Sequence, residues 1–180
     1  ETERLIKLVE ELLDFSRLAS DRIKLKIDTV NIKSLAIGVM NQLKVKSSEK
    51  DIRLNVEFEN ENIDLIQGDK DRLRQVLINL IQNSIKFTDE GGFINIIVSQ
   101  DEEYTTIKVV DNGAGIEKEN LEKVLDKFFQ EDYNESGSGL GLAISNEIVK
   151  LHGGKMTLNS KKGVGTSIPV KIKNTLVKSI

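Results

Sequence analysis

One hundred and eighty residues make one medium domain with an appended element, and 38% hydrophobic content allows a real core. Charged residues at 31%, a formal net charge of −3 and a single proline exclude a disordered or fibrous chain and leave no basic face for nucleic acid. Cysteine is absent, which removes disulfides and thiolate metal sites and suits a reducing compartment. No apolar run approaches the length of a membrane span, and the chain opens on Glu1 without a signal-peptide pattern, so it reads as a piece of a longer protein.

Over residues 3–22, Leu5, Leu8, Leu12, Phe15 and Ala19 recur by threes and fours, and Ile6, Val9 and Leu13 widen the stripe. So broad a face calls for a partner helix, in a dimer or a hairpin; the plainer alternative is packing on the domain that follows. A short strand is expected over 23–31, a helix over 32–50 with Leu35, Val39 and Leu43 inward, and strands over 52–58 and 63–66. Asp69 suits the N-cap of a helix that runs to Phe87, and Gly91-Gly92 marks a turn. Strands over 93–99 and 104–110 read as a hairpin. A helix over 140–151 stopped by Gly153 precedes a last hairpin that pairs 155–160 with 166–172. Helices and antiparallel strands in mixed order predict an α+β fold, a two-layer α/β sandwich with the helices on one face and a long N-terminal helix in front.

Three segments could carry chemistry. On the helix that ends at Phe87, Leu73, Val76, Leu77, Leu80 and Ile81 form the buried arc, and Asn79, Asn83 and Lys86 lie within about 60° of one another beside it. An amide oxygen is a hard neutral ligand for Mg²⁺ and a lysine neutralises phosphate, although two asparagines could equally bond neighbouring backbone. The run Asp111-Asn112-Gly113-Ala114-Gly115-Ile116 falls where a strand ends; its carboxylate could accept from an adenine amino group, or the run could be an ordinary turn. Gly137-Ser138-Gly139-Leu140-Gly141-Leu142-Ala143-Ile144 is a glycine loop that opens into a helix, where free N–H groups suit phosphate. Its spacing matches neither the dinucleotide fingerprint nor a P-loop. Gly163-Val164-Gly165-Thr166 adds a fourth element whose plain reading is a hairpin turn.

The ordered set resembles the catalytic, ATP-binding domain of the sensor histidine kinases of two-component systems, in the superfamily that also holds gyrase, heat-shock chaperone and mismatch-repair ATPases. Residues 79–88 resemble that family's asparagine box, 111–116 its first glycine box, Phe128-Phe129 its phenylalanine box and 137–144 its second glycine box. The resemblance implies that Asn83 coordinates Mg²⁺, that Asn79 and Lys86 act at the phosphates, and that Phe87 lines the nucleotide pocket. Asp111 would hold the adenine amino group, Gly113 and Gly115 would shape the base pocket, and Gly137, Gly139 and Gly141 would frame the phosphate end of a mobile lid, with Ile116, Ser138, Leu140, Leu142 and Thr166 as further nucleotide-binding residues.

It also implies two units: residues 1–24 as the second helix of the dimerisation hairpin, and 25–180 as the catalytic domain. The partners implied are ATP or ADP, a second copy through the N-terminal helix, and a response regulator; the domain would be cytoplasmic, with any membrane anchor elsewhere in the parent. The sequence departs from the family at Leu125, where an earlier Phe is common, and in the lid, which is short and carries Glu131, Asp132 and Glu135 without a basic residue. The family's phosphoacceptor histidine belongs to the first hairpin helix, so the acceptor is expected upstream. His152, before Gly153-Gly154, reads instead as a cap on helix carbonyls that favours the dipole. The rivals are a conformational ATPase, which would need a glutamate where this helix has Asn79, and a non-catalytic interaction module.

Overall fold

The computed structural model describes residues 1–20, 22–127, 129–130 and 137–175. Helix α1 covers Thr2–Ala19, α2 Ile32–Glu49, α3 Lys70–Phe87 and α4 Gly141–Leu151. The strands are β1 Asp28–Val30, β2 Arg53–Phe58, β3 Ile66–Gly68, β4 Phe93–Gln100, β5 Tyr104–Asp111, β6 Lys155–Met156, β7 Asn159–Lys161 and β8 Gly165–Lys173.

A mixed sheet runs β2-β4-β5-β8-β6, with β7 also on β8. Period-two alternation puts Ile94, Ile96, Val98, Ile107, Val109, Ile168, Val170 and Ile172 inward, and the helices bury that face. α2 packs on β2, α3 on β4 and β5, and α4 on β6 and β8. β4 to β5 is antiparallel, as the expected hairpin requires, and β5 to β8 is antiparallel as well. β2 pairs with β4 in parallel, from Arg53 opposite Phe93 to Phe58 opposite Val98, because α3 and β3 form a crossover between them.

Three expected strands differ from the sequence reading, and the one expected over 63–66 begins only at Ile66 and runs to Gly68. In the 23–31 stretch only Asp28–Val30 is a strand, and it pairs with Ile66–Gly68 as a small separate ladder. Upstream of it, Lys26 N–H donates to Asp69 Oδ2 at 2.9 Å, so that backbone group serves the start of α3 instead of a ladder. The single strand expected over 155–160 is split into β6 and β7. Both lie in one register on β8, from Met156 opposite Val170 to Asn159 opposite Ser167. Between them Thr157 N–H reaches the carbonyl of Pro169, which has no N–H to return the bond.

α3 follows from its local chemistry. Asp69 accepts from Arg72 N–H as the N-cap, and the buried arc holds Leu73, Val76, Leu77, Leu80, Ile81, Ser84 and Ile85. Burying each of the large aliphatics stabilises the fold by about 1.5–3 kcal/mol.

α1 divides in two. Its C-terminal end packs on α4 with Phe15 and Leu18 buried, and Asp14 takes both oxygens to Arg72 Nη1 at 2.8–2.9 Å. Leu5, Ile6, Val9, Leu12 and Leu13 remain 41–60% exposed. The plain packing alternative therefore holds for the last turns, and the front of the seam has no partner among the described residues.

Candidate functional site

α3, the end of β5 and the first turn of α4, together with the front of α1 and the end of α2, line one cleft of about 950 Å³, at the upper end of the range that holds small-molecule ligands. Of the residues singled out in the sequence, Asn79, Asn83, Lys86, Phe87, Asp111, Gly115, Ile116, Gly137, Ser138, Gly139, Gly141, Leu142 and Thr166 line it, together with Phe129. Gly113 and Leu140 do not. Leu140 lies in the core, and Gly113 sits behind Asp111, where a Cβ would come 2.5 Å from the Phe87 carbonyl oxygen. Phe128, Glu131, Asp132 and Glu135 fall outside the described residues.

The floor of the cleft is fixed by Asp111, which is 9% exposed. Its Oδ1 accepts from Gly113 N–H at 2.9 Å and Thr166 N–H at 3.2 Å, and its Oδ2 accepts from Ser84 Oγ at 2.7 Å. Donors to a carboxylate are stronger than neutral pairs, so three of them hold one rotamer. A lone pair on Oδ2 remains for one more donor. Ser160 braces the same wall: its hydroxyl donates to the Gly165 carbonyl and accepts from Ile116 N–H, which leaves Thr166 Oγ1 to donate to it at 2.8 Å. Gly165, at φ 142°, is required here because a Cβ would stand 2.1 Å from the Asp111 carbonyl oxygen.

Toward the other end, Asn79 donates to the Gly141 carbonyl and to Ser145 Oγ, both at 3.3 Å, so it ties α3 to the first turn of α4. Asn83 makes no side-chain hydrogen bond among the described residues while lining the cleft. α4 starts without a side-chain cap, and Ser138 Oγ accepts from Leu140 N–H just before it. The first-turn N–H groups are then the ones an anion would meet. Lys86 Nζ lies 4.8 Å from the Phe87 ring centroid and 3.6 Å from where a Cβ on Gly137 would be.

His152 is 1% exposed and does not line the cleft. Its Nδ1 pairs with the Ile148 carbonyl at 2.8 Å and its Nε2 accepts from Asp69 N–H at 3.0 Å, which sets the neutral tautomer. The expected carbonyl contact is present, but the dipole argument is not: burial lowers the imidazole pKa, against the smaller opposing effects of the Ile148 carbonyl and the Asp69 charge.

Sequence reasoning missed Ser84 and Ser160. Ser84 could have been found, since a serine in phase with Leu73, Leu77 and Leu80 is a polar group inside an apolar arc. Nothing local marks Ser160.

A two-layer α/β sandwich whose helices and glycine turns line one such cleft has the architecture expected of an ATP-binding domain. The chain belongs to the histidine kinase-, DNA gyrase B- and HSP90-like ATPase family, which matches residues 68–176. The circadian input-output histidine kinase CikA of Synechococcus elongatus is 32% identical over 99% of this chain, and sensor histidine kinase WalK of Bacillus subtilis 35% over 93%. This chain spans 24% and 28% of those proteins. The nucleotide-free catalytic domain of histidine kinase ThkA superposes with a TM-score of 0.76 at 30% identity, covering 84% of this chain and 100% of that one. Full-length ShkA in complex with AMPPNP superposes with a TM-score of 0.87 at 28% identity, covering 96% of this chain and 36% of that one. The chain is thus an ATP-binding catalytic domain of the histidine-kinase type. Among the described residues no helix is long and apolar enough to cross a membrane.

Proposed function

We propose that this domain binds magnesium ATP and presents its γ-phosphoryl to a histidine upstream in the parent protein, from which it passes to an aspartate of a response regulator. The observation that carries this reading is the convergence of Asp111, Asn83, Lys86 and the α4 start on one cleft.

The remaining Oδ2 lone pair of Asp111 would accept from the adenine amino group, and Phe87 with Ile116 would flank the base. The phosphates would lie toward Gly137, Gly139 and Gly141, where glycines allow the backbone to approach and the α4 N–H groups donate. Lys86 would offset their charge, and Asn79 would hold α4 at the right distance. Among the described residues no three His, Cys, Asp or Glu cluster. The donor set still fits magnesium, because that ion keeps waters and takes phosphate oxygens beside one amide such as that of Asn83. When bound it would supply positive charge beside Asn83 that offsets the phosphates; the residues of this chain position and neutralise.

Residues 1–24 are assigned as the second helix of a dimerisation hairpin, with 25–180 as the catalytic domain. The unpartnered front of α1 supports that division and a homodimer of the parent. ThkA is known in complex with the response regulator TrrA, at 29% identity and a TM-score of 0.79 to this chain, which supports such a partner here. A hydrolytic ATPase of the gyrase or chaperone class is disfavoured because Asn79 stands where those enzymes carry a glutamate, and its amide is already bonded to Gly141 and Ser145.

Calorimetric titration with ATP and ADP, with and without Mg²⁺, tests the reading. Magnesium-dependent binding with little phosphohistidine on this chain is expected. Absent binding, or strong acid-labile labelling at His152, would overturn it.

A further inference from the structure

The last turn of α3 ends at the cleft, and its four terminal carbonyls must find partners outside the helix or cap it. Ser84 O takes Thr88 N–H, and Phe87 O takes Ala114 N–H. The other two, on Ile85 and Lys86, are both taken by one side chain from another element: Lys50 Nζ donates to them at 2.8 and 2.9 Å.

Lys50 is itself held in place. It is the C-cap of α2, followed by Asp51 at φ 52°, and the turn closes through Asp51 N–H to Ser48 O and Ile52 N–H to Ser47 O. The Asp51 carbonyl then accepts from Gly91 N–H, which ties the same turn to the loop after α3. A cation on a rigid mount at a helix C-terminus also meets the negative end of the dipole. It lines the cleft beside Lys86 and Phe87.

We infer that Lys50 is a positioning residue for nucleotide binding: by clamping the Ile85 and Lys86 carbonyls it aims Lys86 into the cleft. The inference rests on the reading of Lys86 as the phosphate-facing cation, and adds a residue that no sequence motif marks.

The test is a double-mutant cycle with Lys50→Met and Lys86→Met, titrating ADP and AMPPNP calorimetrically against the wild-type chain as control. Lys50→Met should weaken both nucleotides about tenfold, the scale of one lost charge-assisted bond. Lys50→Arg, which keeps a cation with N–H donors but not the compact ammonium, should recover part of that loss. Because Lys50 acts through Lys86, the double variant should bind scarcely more weakly than Lys86→Met alone. Unchanged affinity in Lys50→Met, or effects of the two substitutions that add independently, overturns the positioning role while leaving the nucleotide site intact. Wild-type chain that binds neither nucleotide overturns the site and this inference together. Should Lys50→Met fail to fold, Lys50→Gln replaces it, and failure of both to fold assigns Lys50 to stability instead.

Discussion

Asp111→Asn keeps the shape of the side chain and changes only what it can offer. Gly113 N–H and Thr166 N–H both require an oxygen at the Oδ1 position, so the amide is forced to place its NH₂ at the Oδ2 position. Ser84 Oγ, now a donor at 2.7 Å, can rotate and accept, so the fold should tolerate the change. An adenine amino group cannot rotate its chemistry: donor would face donor. Loss of a bond to a charged acceptor is worth about 1.5–3 kcal/mol, and the opposed buried donors cost about 1–3 kcal/mol more. Together these weaken ADP by roughly a hundredfold or more. Inosine diphosphate, with an oxo group at that position, should lose far less and should become the preferred ligand of the variant. Calorimetric titration of both nucleotides, with thermal melts to show that the variant is folded, decides it. An Asp111→Asn chain that melts like wild type and still prefers ADP would refute the assignment of the base pocket.

Asn83→Ala should leave magnesium-free ADP binding within about threefold of wild type and remove most of the gain that Mg²⁺ gives, since its unbonded amide is the group proposed for the ion; equal magnesium gain in variant and wild type would remove Asn83 from the metal's neighbourhood. His152 predicts a pH effect on stability with a definite sign. Above its ordinary value of 6.5 both folded and unfolded chains hold a neutral imidazole. As pH falls below 6.5 the unfolded chain takes a proton that the buried ring resists, so stability falls until the lowered folded pKa is reached, then levels off. His152→Gln should be less stable at pH 8 and lack this portion of the acid slope, measured by denaturant melts from pH 8 to pH 5.

Much of the layout was legible because it is encoded over short spans. The arc from Leu73 to Ile85, the Asp69 cap and the glycine after His152 each declare themselves within one or two helical turns. α4 ends as expected with Gly153 at φ 65°, its N–H on Lys150 O and that of Gly154 on Val149 O. What stayed hidden joins residues distant in sequence. The parallel pairing of β2 with β4 depends on how α3 crosses, not on the composition of either strand. Lys50 reaches carbonyls 35 and 36 residues away, and nothing in its own neighbourhood announces that. The break between β6 and β7 lay within reach: Pro169 is visible in the sequence, but only the register shows which strand lacks its donor. In the site, the glycines, the Asp and the amides were readable as residue types; their division into cleft walls and buried support, with Gly113 and Leu140 on the hidden side, required the packing.

His152 also has a mechanical meaning. Through Asp69 it rivets the finish of α4 to the beginning of α3, while the start of α4 is linked to the middle of α3 by the two longer contacts of the Asn79 amide. The pair is built like tweezers with the pivot away from the ligand. Any widening that admits or releases a nucleotide can be confined to the open tips, at Gly141 and the loop before it, without disturbing the joint. Replacing the rivet should therefore loosen the whole domain, whereas replacing Asn79 should change how far the tips spread.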